Sequence, residues 1–174
     1  AIEKVASKMF IEMKVSGLTI DPITNTPIVI LKDLEEKRAI PIWIGVFEAS
    51  AIVTELENIK FPRPMTHDLL ANIIKVLKGE VVRVEIHDLR DNTFFANIQL
   101  LYQGETIVVD ARPSDAIAVA LRVGAAVFVE QKVIEKSRKV DFGIKLADIN
   151  QMEKEKLLEF LENLSPDDFG KYKM

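Results

Sequence analysis

Glu105-Thr106-Ile107-Val108-Val109-Asp110-Ala111-Arg112-Pro113-Ser114-Asp115-Ala116-Ile117 passes from one secondary structure to another across a single Arg-Pro step. The β-branched run ending at Val109 reads as a strand. From Pro113 to Val123 almost every residue is apolar, with proline suited to a helix start, Ser114 read as a cap and Asp115 in the first turn. A strand that feeds directly into a helix buried on most sides points to an α+β class.

The surrounding sequence extends this pattern. Val81 to Ile86 and Thr93 to Leu101 read as strands joined by an Asp88-Leu89-Arg90-Asp91-Asn92 turn, Gln103-Gly104 makes the next turn, and Ala125 to Val129 adds a last core strand. Earlier in the chain, Met9 to Ile20, Ile28 to Leu31 and Arg38 to Ile44 read as strands, with turn composition from Asp21 to Thr26. Ala49, Ile52, Val53, Leu56 and Ile59 then recur at helical spacing after Gly45, and Pro62-Arg63-Pro64 is expected to end that helix.

A shift of 67 residues lays the two halves over each other. Val15 meets Val82, Asp21 meets Asp88, Asn25 meets Asn92, Thr26 meets Thr93, Leu34 meets Leu101, Ile40 meets Ile107, Ala49 meets Ala116 and Ala51 meets Ala118. Chance matching at about one position in sixteen would give far fewer. The expected fold is therefore α+β, with mixed β-sheets, packed helices and two duplicated β-β-β-α units joined by a connecting helix.

That connector follows Phe61-Pro62-Arg63-Pro64-Met65-Thr66-His67-Asp68-Leu69-Leu70. Thr66 suits the N-cap, Leu70, Ile73, Ile74 and Leu77 form a stripe expected to be buried, Lys75 and Lys78 lie toward the negative end, and Gly79 is the natural stop. The segment gathers a cation, an imidazole and a carboxylate at one helix mouth, as Arg112-Pro113-Ser114-Asp115 does at the other. The same shift sets Glu48 opposite Asp115, so an approximate two-fold axis would bring those acids together.

Composition narrows the function classes. With 174 residues, 48% of them hydrophobic, the chain can build one core without staples, and with no cysteine it has no disulfide, thiolate nucleophile or sulfur-rich zinc site. The absence of a basic leader and of any membrane-length apolar run leads to an expectation of a soluble, cytoplasmic protein; the longest greasy stretch, Ala116 to Val129, is broken by Arg122 and Gly124. A net charge of −4 counts against nucleic-acid binding by charge alone, and less against a phosphodiesterase whose carboxylates hold a cation. No Gly-rich phosphate loop, Gly-Xaa-Ser-Xaa-Gly elbow or His-Glu-Xaa-Xaa-His motif occurs. After Lys139 the character changes: Ile149, Met152, Leu157, Phe160, Leu161 and Leu164 mark an amphipathic helix, which divides the chain into a domain over 1–140 and a helix and tail over 141–174.

Pro41-Ile42-Trp43-Ile44-Gly45 with Glu48-Ala49, Pro62-Arg63-Pro64 with Thr66-His67-Asp68-Leu69-Leu70, Asp88 with Asn92-Thr93-Phe94, and Arg112-Pro113-Ser114-Asp115-Ala116-Ile117 together resemble the bifunctional nuclease (BFN) domain family. The resemblance covers roughly Met9 to Ile134. It implies a compact mixed α and β domain, self-association into a homo-oligomer, and nuclease activity on RNA and DNA.

The residue types at the helix starts then suggest a metal-dependent chemistry, in which Glu48, Asp68 and Asp115 hold Mg²⁺ or Mn²⁺, His67 activates water, and Arg63 and Arg112 neutralise charge on the phosphate. Each residue also has a plainer reading. Thr66 and Asp68 stabilise a helix start, one of the arginines makes an internal ion pair, and Asp21, Asp88, Asp91 and Asn92 hold turns. His87 is structural, Trp43 fills the core beside the first repeat helix, and Lys136, Arg138 and Lys139 form a solvated face. The competing expectation is a non-catalytic binding or regulatory module, or an assembly domain that associates through its terminal helix.

Overall fold

The computed structural model describes residues 8–139. Seven strands form one mixed sheet: β1 (Phe10–Ile20), β2 (Pro27–Asp33), β3 (Ala39–Trp43), β4 (Glu80–Arg90), β5 (Thr93–Tyr102), β6 (Glu105–Ala111) and β7 (Ala126–Glu130), in the spatial order β3-β2-β1-β7-β4-β5-β6. Each half is an antiparallel meander, β1 to β3 and β4 to β6, and β7 joins them, antiparallel to β1 and parallel to β4. The helices are α1 (Val46–Leu56), α2 (Thr66–Val76), α3 (Pro113–Val123) and α4 (Gln131–Lys139). The expected α+β class stands, with a single sheet in place of several.

The two halves share element order but not the ungapped register. Ile40 pairs with Leu31, which the shift of 67 would carry to Ile107 with Ile98, whereas Ile107 pairs with Leu100. The difference arises at the turns. The Asp21–Thr26 loop is longer than the Asp91-Asn92 turn, because β4 continues through Asp88 to Arg90. What the matched turns have in common is one left-handed asparagine, Asn25 at φ 58 and Asn92 at φ 59, a conformation that asparagine tolerates better than most residues.

α3 is the hub. Its Ala116, Ile117, Ala118, Val119 and Ala120 are buried, and small side chains let it pack closely on α1 and α2 and on β4 and β5. β2 is buried on both faces. Val29 and Leu31 join the main core with Ile40 and Ile42, while Ile28 and Ile30 point the other way against Ala39 and Trp43. Trp43 therefore does not sit beside α1 as expected. Its indole covers the opposite face and donates to Asp21 Oδ2 at 3.0 Å, tying the first turn to β3.

Three expectations about helix ends are corrected. α1 stops at Leu56, well before the prolines, in a Schellman turn in which Asn58 has φ 53 and Ile59 N–H donates to Thr54 O at 2.8 Å. α2 ends the same way, with Lys78 and not Gly79 in the left-handed position (φ 60) and Gly79 N–H donating to Ile74 O at 2.9 Å. At its start the N-cap is Met65, because Asp68 Oδ2 reaches back to accept from Met65 N–H at 2.9 Å, which makes Thr66 the first helical residue.

The α2 stripe differs more. No α2 residue is buried, and Leu69, Leu70, Ile73, Val76 and Leu77 are exposed, because α2 packs mainly on α3 and only Ile74 reaches the core. α4 was not anticipated. It packs on β4, β7 and β3, and Lys136 bonds the Asp88 carboxylate (3.0 Å) and Leu89 O (3.3 Å), so Lys136 is not a member of a free basic face. The helix expected from Ile149 to Leu164 and the boundary after 140 lie outside the described residues.

Candidate functional site

The first turns of α1 and α3 face each other, as the shifted alignment anticipates for Glu48 and Asp115. Gly45 caps α1, and a Cβ there would run into the Glu48 carboxylate, so glycine leaves room for that side chain to turn back. Arg112 occupies the N-cap position of α3 and bridges the two acids, Nη1 to Glu48 Oε1 at 2.8 Å and Nε to Asp115 Oδ2 at 2.7 Å. His67, in the first turn of α2, brings Nε2 to the other Asp115 oxygen at 2.8 Å. The four side chains form one run, His67–Asp115–Arg112–Glu48.

Burial opposes ionisation of Asp115, but the hydrogen bonds from Arg112 and His67 outweigh it and hold the carboxyl below its ordinary value. Asp115 in turn is the main cause of an upward shift at Arg112, with Glu48 adding to it. An ionised Asp115 can only accept, so Nε2 is the donating nitrogen of His67, and in the neutral ring Nδ1 is then the acceptor. An oriented imidazole and a cation whose side chain is 65% exposed can move a proton and meet an anion.

All four residues line a cavity of about 820 Å³ between α1, α2 and the β5–β6 side of the sheet. Its walls are largely apolar, with Phe47, Phe61, Met65 and Leu70 at the helix side and Ile98 and Val109 at the sheet. A roomy apolar cleft with a few convergent polar groups is the usual form of a ligand site.

Asp68 belongs to a different pair. Arg122, whose side chain is only 6% exposed, bonds Asp68 Oδ1 through Nε at 2.6 Å, Ala118 O through Nη1 at 3.0 Å and Ala51 O through Nη2 at 3.0 Å. One guanidinium thus ties α1, α2 and α3 together. Burial raises the Asp68 pKa, but the Met65 amide and Arg122 outweigh this and the net shift is downward. Arg63 is exposed and borders a smaller cleft beside Asp68 and Arg122, outside the larger cavity.

Glu48, Asp68 and Asp115 therefore do not turn toward one point. Arg112 lies between two of them and Arg122 holds the third. Among the described residues no three His, Asp or Glu side chains are grouped so as to hold a metal ion. The donor set in this arrangement does not fit a three-carboxylate centre.

Arg122 was not among the candidates, although a lone cation inside an apolar helix is the signal that could have found it, since such a charge must be paired. Phe47, Phe61 and the buried Ser50 of the cavity wall carried no signal separable from ordinary core patterning.

The family model for the bifunctional nuclease domain matches residues 29–141. The chain belongs to the bifunctional nuclease domain family. An uncharacterized protein of Mycobacterium tuberculosis is 38% identical over 167 residues, which is 91% of this chain and 97% of that protein. A protein named Bifunctional nuclease 1, from Oryza sativa subsp. japonica, is 26% identical over 97 residues, 54% of this chain and 29% of its own length. The matched BFN region holds the whole His67–Asp115–Arg112–Glu48 run. No helix among the described residues of this BFN domain is long and apolar enough to cross a membrane.

Proposed function

We propose that this BFN domain hydrolyses phosphodiester bonds of RNA or single-stranded DNA, with its centre at the His67–Asp115–Arg112 run. The observation that carries this reading is the imidazole held on Asp115 at 2.8 Å beside a largely exposed guanidinium, at the wall of an 820 Å³ cavity. His67 takes a proton from the attacking water through Nδ1, Asp115 keeps the ring oriented and compensates the imidazolium that forms, and Arg112 compensates charge on the phosphoryl oxygens. As the water oxygen bonds to phosphorus, the ester P–O bond on the far side breaks, the departing alkoxide takes a proton from solvent, and His67 then releases its own proton to solvent. Phe47 and Phe61 offer apolar surface on which bases can stack.

Cleavage of a labelled oligoribonucleotide is assayed with Mg²⁺, with Mn²⁺ and with a chelator, since Mg²⁺ or Mn²⁺ is the cofactor expected from the sequence. His67→Ala is expected to lower the rate by about 10²-fold or more, and Asp115→Asn to lower it while the protein stays folded. Undiminished cleavage by both variants would falsify the mechanism.

A second reading is favoured by the pairing of Glu48, Asp68 and Asp115 with cations: a non-catalytic binding or regulatory module, in which these pairs hold α1, α2 and α3 in place. It gains if no metal supports cleavage while Asp115→Asn lowers the melting temperature. On either reading the protein is a homo-oligomer of the cytoplasm, supported by the exposed apolar side chains of α2 and the absence of cysteine.

A further inference from the structure

Arg112 borders a second cavity, of about 360 Å³, on its other side. This one lies at the seam of the two meanders. Thr26 from the β1–β2 turn, Asn92 and Thr93 from the β4–β5 turn, Gly45 after β3 and Ser114 on α3 all line it. Thr26 and Thr93 are partners in the 67-residue alignment of the two halves.

Four properties of the cavity agree. Ser114 is only 6% exposed and faces the cavity, yet among the described residues its hydroxyl has no hydrogen-bond partner. It does not cap α3 as expected from the sequence, because Arg112 is the N-cap and no side-chain cap bond is made. The Ser114 and Asp115 amides lie in the first turn of an eleven-residue helix, where N–H groups have no acceptor within the helix and the dipole favours an anion. The sole charged lining residue is Arg112, a cation, and no acid lines the cavity. Donors from a hydroxyl, first-turn amides and a guanidinium, with Thr93 and Asn92 at the rim, match an acceptor-only tetrahedral oxyanion.

The geometry points to a phosphate-binding subsite at the start of α3, formed by the Ser114 hydroxyl, the Ser114 and Asp115 amides and Arg112, for the phosphate group of a nucleotide or a nucleic-acid strand. Arg112 serves both cavities, so a phosphate held here lies one guanidinium away from the His67 centre. The assignment does not depend on hydrolysis, because an inactive protein would bind phosphate in the same way.

The test is a ¹⁵N-¹H titration of the full chain with inorganic phosphate, then with one short oligonucleotide bearing either a 5′-phosphate or a 5′-hydroxyl. Saturable shifts are expected at the Ser114, Asp115 and Thr93 amides. Ser114→Ala should weaken phosphate binding by about tenfold, the usual scale of a hydrogen bond to a charged group, and Ser114→Thr should retain it. A stronger response to the 5′-phosphorylated strand identifies a terminal phosphate as the ligand, and equal saturable responses identify the backbone phosphodiester. Absence of saturable shifts at these amides overturns the assignment, as does unchanged affinity in a folded Ser114→Ala protein. If Ser114→Ala does not fold, Thr93→Val at the exposed rim takes its place, with a few-fold loss expected and unchanged affinity again overturning the subsite.

Discussion

Asp115 accepts from two cationic partners at once, which makes it the residue most sensitive to acid. Its carboxyl and that of Asp68 are both held below the ordinary value of about 3.9. A carboxyl whose pKa is lower folded than unfolded contributes stability that is fully present above the unfolded value and is lost as the pH falls through the folded one. The melting temperature should therefore be flat from pH 7 to about 5 and fall increasingly below pH 4. Asp115→Asn should start lower and show a shallower fall, which a series of thermal melts would reveal. Asp68→Asn leaves the Arg122 guanidinium buried with two carbonyl bonds and no counter-charge. Because Asp68 itself is a third exposed, the expected loss is about 2 kcal/mol, less than for a fully buried pair, or several degrees of melting temperature. The candidate residues at the helix mouths were legible from charge type and position, and so was the local Arg112–Asp115 pair, but the pairings between helices were not. Arg112 and Asp115 are three residues apart at one helix start and meet locally, whereas the packing of α1 and α2 against α3 decides that Arg112 also meets Glu48 and that Arg122 meets Asp68.

Among the elements, α2 shows the widest gap between local pattern and actual environment. Its Leu70, Ile73 and Leu77 recur at the spacing of a buried face, and periodicity reports that a helix has such a face without reporting what covers it. Under conditions where the chain is monomeric, α2 amides should exchange with solvent far faster than those of Ala116 to Ala120 in α3, which sit in the core. Protection of α2 that rises with protein concentration would locate the self-association surface there. The end of α2 offers a separate check. Lys78 holds a left-handed conformation in a Schellman turn, so Lys78→Gly should raise stability by about 0.5 kcal/mol, read as a small increase in melting temperature. α3 and every strand except β4 were read to within a residue or two, because period-two alternation, tight turns and a continuous apolar helix are local signals, whereas β4 runs on to Arg90 through residues whose composition reads as a turn. The short α4 was missed because it follows β7 with no intervening turn residues.

For the whole molecule, the exposed α2 side chains and the open edge strand β6, with Ile107, Val108 and Val109 exposed, predict a particle larger than one 19.6 kDa chain in light scattering. Ile73→Glu should shift it toward the monomer, and a wild-type mass equal to one chain would exclude self-association through these surfaces. The sequence by itself determined the order of the seven strands and of α1 to α3, the α+β class, the family, and the helix starts at which the charged side chains gather. These follow from interactions between residues close along the chain, where spacing, turn geometry and capping are readable. Only the tertiary structure decided that Arg112 stands between Glu48 and Asp115, that Asp68 faces Arg122, that Ser114 opens on a second cavity and that α2 turns its apolar side chains outward. Those outcomes depend on where α1, α2 and α3 settle on a sheet whose central strand, β7, comes last in the sheet's chain order, and no local pattern specifies distances between elements brought together that late.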